Sequence, residues 1–311
     1  MDTPQVFQFL HDQQQRGTRT ALVTVCAVDG SSMRNPGTHM GVAEDGNFAG
    51  SLSGGCIENA VIAEAQQAIK DGKTRMVRFG AGSPYLDIRL PCGGGLDLHF
   101  QPLMSNGLVT ASCAAIAQRR PFAIEIGEEG AAFCDAWQAT VFDHSTGSGT
   151  FGHWPIPRLL IVGHGAGVEA LAKLAGSMGC DVQTLTSDER IAAALGEQAI
   201  AVEHLRRTTD TQLLASDPWT AIVFLFHDHD WETELMKAAL ALPHFYIGSM
   251  GGRKAHAGRC SALTDIGVSQ SAIDTLHAPI GLFHSSRDPQ SLALSALGEI
   301  MVEYQRARFE V

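Results

Sequence analysis

The sequence predicts an α/β protein in two parts, an α+β N-terminal domain followed by a doubly wound, Rossmann-like C-terminal domain. Three observations carry that prediction. The 311 residues exceed the length at which one hydrophobic core stops growing. A run of small polar residues, glycines and prolines, "HSTGSGTFGHWPIP" (144–157), breaks the composition near the middle of the chain. Beyond it, strands alternate with helices, which requires a parallel sheet with right-handed crossovers. The expected boundaries are 1–145 for the first domain, 146–157 for a linker and 158–311 for the second domain.

In the first domain "TALVTVCAV" reads as a buried strand, and "MGVAEDGNFAGSL" as a hairpin whose Asp45-Gly46 suits a type I′ turn. Ile57, Val61, Ala65, Ala68 and Ile69 recur at helical spacing, so a helix is expected to start near Cys56 and to end at Asp71-Gly72. Strand-like "TRMVRFG", "YLDIRL" and "LDLHFQPL" follow. In the second domain "RLLIVGHGAG" leads into a helix at "VEALAKLAGSMG", followed by strands at "DVQTLT", "TAIVFLF" and "HFYIGSM". The last helix is well marked, with Asp288 as N-cap, Pro289 behind it and an apolar stripe of Leu292, Ala296, Leu297, Ile300, Met301 and Tyr304.

Composition narrows the function classes. Apolar content of 45% with 18% charged residues is that of a globular protein, and a formal charge of −11 argues against nucleic-acid or anionic-membrane surfaces. No apolar run is long enough to span a bilayer and the N-terminus lacks a signal-peptide pattern, so a soluble, cytoplasmic protein is expected. Seven cysteines without a CxxC pair fit free thiols in a reducing compartment.

The chemistry-bearing residues fall in loops. Gly163-His164-Gly165 after an apolar strand opens a dinucleotide fingerprint, with the first glycine for the tight turn and the second for phosphate approach to the helix N-terminus. The fingerprint is imperfect: Val168 occupies its third position beside an extra Gly167, and Thr186-Ser187 precede Asp188 where an acid should close the second strand. His227 and Asp228 follow the next apolar strand, with His229 and Asp230 behind them. Gly248, Gly251, Gly252 and Arg253 follow the one after, in a glycine loop suited to an anion. In an open α/β sheet these strand ends share one rim. In the first domain, Cys56 is expected at a helix start, where the macrodipole favours the thiolate and Glu58 opposes it. Cys92, in "LPCGGGLDLHF", is flanked by proline and three glycines, and Arg34 lies in a Ser/Gly/Pro loop where it could clamp an oxo-anion. Cys26 and Cys180 read as small core hydrophobes.

"DGSSMRNPGTHMGVAEDGNFAGSLSGGCIENAV" and "LPCGGGLDL" resemble the N-terminal domain of the XdhC/CoxI family, while "YIGSMGGRKAH" and "HAPIGLF…RDPQSLALSALGEI" resemble its C-terminal Rossmann domain. The resemblance covers nearly the whole chain, and "GSLSGGCIE" is its specific element. It implies an accessory protein that binds the molybdenum cofactor (molybdopterin carrying molybdenum). Such a protein supports sulfuration of the cofactor by a cysteine desulfurase and hands it to an apo molybdenum hydroxylase of the xanthine dehydrogenase type. The family motifs fall on Cys56, Cys92, Gly163, Gly165, His227 and Arg253. Val168, Thr186 and Gly252 depart from them, the last standing where serine often precedes the arginine. The cofactor contacts expected are Arg34, Cys56, Cys92, Gly163, His164, Gly165, His227, Asp228, Gly248 and Arg253, with Cys56 and Cys92 as contacts to molybdenum or sulfur. Three roles stay open for Cys56: ligating molybdenum, carrying a persulfide, or packing. A homodimer is expected from the family and the terminal helix. The rival readings are an NAD(P)-dependent oxidoreductase, with Thr186-Ser187 as 2′-phosphate contacts, and a metal-dependent hydrolase built on residues 227–230.

Overall fold

The apolar run beginning at Thr20 becomes β1 (Thr20–Asp29), the middle strand of a five-stranded antiparallel sheet. It is seen in a computed structural model that describes residues 2–30, 34–52, 57–83, 93–227, 229–283, 288–307 and 309. The chain divides into two units between Pro155 and Ile156.

In the first unit the sheet order is β3 (Phe48–Ala49), β2 (His39–Ala43), β1, β5 (Gly95–Pro102) and β4 (Arg75–Gly80). Side chains alternate across β1, so Val23 and Val25 pack with Val61, Ala65 and Ala68 of α2 (Glu58–Asp71), while Leu22 and Cys26 face the opposite way. There they meet α1 (Thr3–Gln15), α3 (Gly107–Ala117) and a second antiparallel sheet. That sheet contains β6 (Phe122–Gly127), β7 (Gly130–Cys134), β8 (Val141–Asp143) and β9 (Ser148–His153), in the order β7-β6-β9-β8.

Three expectations change here. The segment 146–157 is not a linker, because its Ser148–His153 is a strand paired with both β6 and β8. Its glycines serve close packing: a Cβ at Gly149 would lie 2.5 Å from Val141 O, and one at Gly152 would lie 2.6 Å from Trp137 Nε1. The hairpin turn is not type I′, since of Asp45 and Gly46 only the glycine has positive φ, at 88°. Gly46 N donates to Ala43 O and Ala43 N to Asn47 O, which is a type I turn closed by a left-handed glycine. The α2 helix starts at Glu58 with Ile57 as N-cap, two residues later than expected, and ends as expected on left-handed Gly72. Cys56 and "YLDIRL" lie outside the described residues.

The second unit is built around a five-stranded parallel sheet. Its strands are β10 (Arg158–Gly163), β11 (Asp181–Thr186), β12 (Ala201–His204), β13 (Thr220–Leu225) and β14 (Tyr246–Ser249), in the order β12-β11-β10-β13-β14. That is the 3-2-1-4-5 order of a Rossmann sheet. Leu159 and Ile161 enter a core with α4 (Ala166–Ser177), α5 (Glu189–Gly196) and α9 (Pro289–Arg306). Leu160 and Val162 enter the opposite core with α6 (Thr233–Leu240), α7 (Arg253–Asp265) and α8 (Gln270–Ile273). The sheet is thus doubly wound. Asp288 caps α9 by accepting from Ser291 N at 2.8 Å.

Candidate functional site

In the first unit, strand register fixes where the loops that the sequence singled out leave the sheet. Asp29 pairs with Gly95, and Gly80 pairs with Gly95 from the other side. Gly50, which follows β3, packs so closely that a Cβ would lie 2.7 Å from His39 O. Gly30, Ala81 and Gly94 therefore leave the sheet together at the C-terminal end of β1, while Gly50 leaves it level with Met40 and so with Val23 in the middle of β1. Cys56 and Cys92 belong to two of these loops and lie outside the described residues.

Two residues that the sequence reading did not assign to a site hold the bases of these loops. Arg78 donates from Nε to Ala81 O at 2.7 Å and from Nη1 to Asp97 Oδ2 at 2.9 Å, and its Nη2 pairs with Asp29. Glu58, read as a charge opposing a thiolate, turns its buried carboxylate back on the preceding loop. It accepts from Ser51 Oγ at 2.9 Å, Leu52 N at 3.3 Å and Ile57 N at 3.2 Å, so it holds both ends of 51–57. The "GCIE" spacing carried this signal, as a glutamate just inside a helix can reach back to free amides. Arg34, expected as an anion clamp, pairs with Asp2 at 2.9 Å. Burial pushes the Cys26 thiol up to about 12 and the Cys180 thiol up to about 11, in keeping with core roles.

In the second unit Gly163 lies level with Thr186 on one side and Leu225 on the other. Its missing Cβ lets β10 and β13 approach, because any side chain would run into Leu225 O. Gly165, at φ 86°, is the N-cap of α4 and offers that helix no side-chain cap, while its own carbonyl accepts from Val168 N at 3.1 Å. Val168 is fully buried, and Gly167 takes up close packing, with its Cβ position 3.4 Å from Leu292 on α9. The third fingerprint glycine has in effect moved by one residue.

His164 and His227, from different strand ends, meet on this rim with ring centroids 6.2 Å apart. His164, Gly165, Ser187, Asp188, Glu189 and Arg190 line an open cleft of about 530 Å³. Thr186 is buried, and its hydroxyl accepts from Asp188 N at 3.1 Å, so only Ser187 of the expected 2′-phosphate pair faces the cleft. Asp188 caps α5 by accepting from Arg190 N at 3.0 Å, and the Arg190 guanidinium beside it holds its carboxyl below the usual range. Arg253 is exposed at the start of α7, after the neighbouring strand end. Gly248 is a correction: it is buried within β14, and a Cβ there would lie 2.6 Å from Tyr246 Oη, so it makes room for a phenol and not for a ligand. Asp228 lies outside the described residues. Among the described residues no three His, Cys, Asp or Glu side chains are grouped to hold a metal, and no helix is long and apolar enough to cross a membrane.

The fold is that of a two-unit α/β protein whose second unit is built on a Rossmann sheet. Residues 159–300 match the XdhC Rossmann domain and residues 13–80 the XdhC and CoxI family. The chain is 30% identical over 295 residues to the molybdenum cofactor insertion chaperone PaoD of Escherichia coli, across 95% of this chain and 86% of that protein. It is 25% identical over 336 residues to a probable xanthine dehydrogenase subunit of Bacillus subtilis, across 96% of each. A solved structure of a xanthine dehydrogenase from Bacillus halodurans matches with a TM-score of 0.78 over 100% of this chain and 97% of that one. At 19% identity that likeness is one of fold. This chain belongs to the XdhC/CoxI family.

Proposed function

We propose that this protein is a carrier for the molybdenum cofactor, not a turnover enzyme. It would hold the cofactor while a cysteine desulfurase supplies sulfur, then deliver it to an apo molybdenum hydroxylase of the xanthine dehydrogenase type. The observation that carries the reading is the 30% identity, over 95% of the chain, to a molybdenum cofactor insertion chaperone. A cytoplasmic homodimer completes the proposal.

The residues on the rim fit such a cargo. A pterin phosphate needs backbone amides and a cation; the start of α4, which no side chain caps, would supply the first and exposed Arg253 the second. His164 and His227 stand side by side on this rim and offer ring N–H donors. The cargo brings molybdenum with oxo and sulfido ligands, for which thiolates are suitable temporary partners, and Cys56 and Cys92 are the thiols proposed for that contact. A carrier must also release, so several moderate contacts suit the task better than one very strong one.

The test is purification from cells that make the cofactor, followed by assay of released pterin. Pterin in near-equal amount to protein is expected. Protein without pterin that also fails to take it up in vitro would refute the carrier reading.

A second reading, NAD(P) binding, draws on the cleft of about 530 Å³ beside the β10–α4 turn. Titration with NADPH decides it, and no binding into the millimolar range rejects it.

A further inference from the structure

Beneath the rim, between the ends of β13 and β14, lies a charged pair that the cargo reading leaves without a role. Glu232 precedes α6, and Arg259 sits two turns into α7; each side chain is only 2% exposed. Helical side chains lean toward the helix start, and Arg259 reaches back beneath the loop that leads into its own helix. Its Nε donates to Glu232 Oε2 at 3.0 Å and its Nη2 to Met250 O at 2.9 Å. Ser249, the last residue of β14, donates from Oγ to Glu232 Oε1 at 3.2 Å. The pair therefore joins the segment after β13, which carries His227, to the Met250-Gly251-Gly252 loop that ends in Arg253.

This arrangement is a poor choice for stability alone. Apolar residues of similar volume commonly hold a buried position as well as or better than an ion pair. In addition, Arg259 Nη1 is buried with no hydrogen-bond partner among the described residues, a state that folded proteins seldom tolerate without a functional reason. What the pair does provide is direction: a planar guanidinium fixes a carboxylate and a carbonyl in one plane.

We propose that Glu232 and Arg259 are positioning residues that lock the two rim loops into one cargo-receptive arrangement, an inference that rests on the rim being the cargo site. Neither residue touches cargo; they act through His227 and Arg253.

The test compares wild type with the double variant Glu232→Leu/Arg259→Met and the single variant Arg259→Lys. Hydrogen exchange, urea unfolding and molybdopterin affinity are measured for each. The double variant is expected to unfold at a similar urea concentration, while amides in 226–232 and 250–253 exchange about tenfold faster or more than in wild type. Its molybdopterin affinity is expected to drop about tenfold. Arg259→Lys keeps the charge but loses the fork, so it should loosen 250–253 and leave 226–232 near wild type, which keeps the test open if the double variant does not fold. Wild-type exchange at both segments in the double variant, or in 250–253 of Arg259→Lys, would overturn the proposal. If wild type itself takes up no molybdopterin, the carrier reading fails and the exchange result alone decides the role of the pair.

Discussion

His39 Nε2 lies 2.9 Å from His153 Nε2 in the interior of the first unit, and the other nitrogen of His39 meets Thr24 Oγ1 at 2.9 Å. At most one proton fits between the two rings, so the pair cannot carry two charges. Burial and the neighbouring His153 put His39 well below the usual histidine range, and burial puts His153 and His99 at about 4. In the unfolded chain these rings take up protons at about pH 6.5. Below that pH the unfolded state binds more protons than the folded one, so stability falls as pH drops from about 6.5, and the share from His153 and His99 levels off below about 4. Urea midpoints measured from pH 8 to pH 4 should show this loss, with His39 and His153 still neutral by NMR at about pH 5.5, where a free histidine is mostly charged. A flat midpoint across that window would contradict the pairing.

Two glycines on the Rossmann unit should behave in opposite ways. Gly163→Ala drives a Cβ into Leu225 O between two central strands, and should cost about 1–3 kcal/mol in urea unfolding. Gly252→Ala meets open space at an ordinary φ of −74°, so stability should stay within about 0.5 kcal/mol. Any fall in molybdopterin uptake by the second variant would then reflect the rim and not the fold.

The thiols should divide by burial when alkylated in the native state at pH 8 and mapped by mass spectrometry. Cys26 and Cys180, with thiols raised to about 12 and about 11, are expected to stay unmodified until urea is added. Rapid labelling of Cys26 in folded protein would mean that the core between the two sheets of the first unit is open.

Glu58→Gln keeps the volume of the buried carboxylate but turns an amide NH2 toward groups that are themselves donors: Ser51 Oγ, Leu52 N and Ile57 N. The expected cost is about 1–3 kcal/mol, read by urea unfolding. The loop that carries Cys56 loses its anchor at the same time, so alkylation of Cys56 should quicken. Wild-type stability and wild-type labelling together would show that Glu58 does not hold the loop.

Much of this was legible in the chain because the signals were local. The buried alternation of β1, the Gly72 stop of α2, the strand-helix rhythm after residue 158 and the Asp288-Pro289 cap each lie within a few residues of one another. What escaped depends on distant partners. His39 and His153 are 114 residues apart, and nothing near either one announces the other. Arg78 reads as an ordinary strand residue until Asp29 is brought to it from 49 positions away. Glycine misled in both directions: Gly149 and Gly152 read as a flexible linker yet permit close packing in a strand, and Gly248 read as ligand space yet is filled by Tyr246. The Gly163-His164-Gly165 turn was visible from sequence, but the fate of Thr186 and Asp188, spent on one another and on α5, needed coordinates.

A transfer measurement tests the carrier role most directly. Protein loaded with molybdenum cofactor is mixed with an apo molybdenum hydroxylase of the xanthine dehydrogenase type and a cysteine desulfurase, and hydroxylase activity and pterin are followed together. A carrier gives activity that rises as pterin leaves this protein, with Cys56→Ala folding normally but transferring poorly. A hydroxylase that gains no activity while this protein neither holds nor loses pterin would contradict that role.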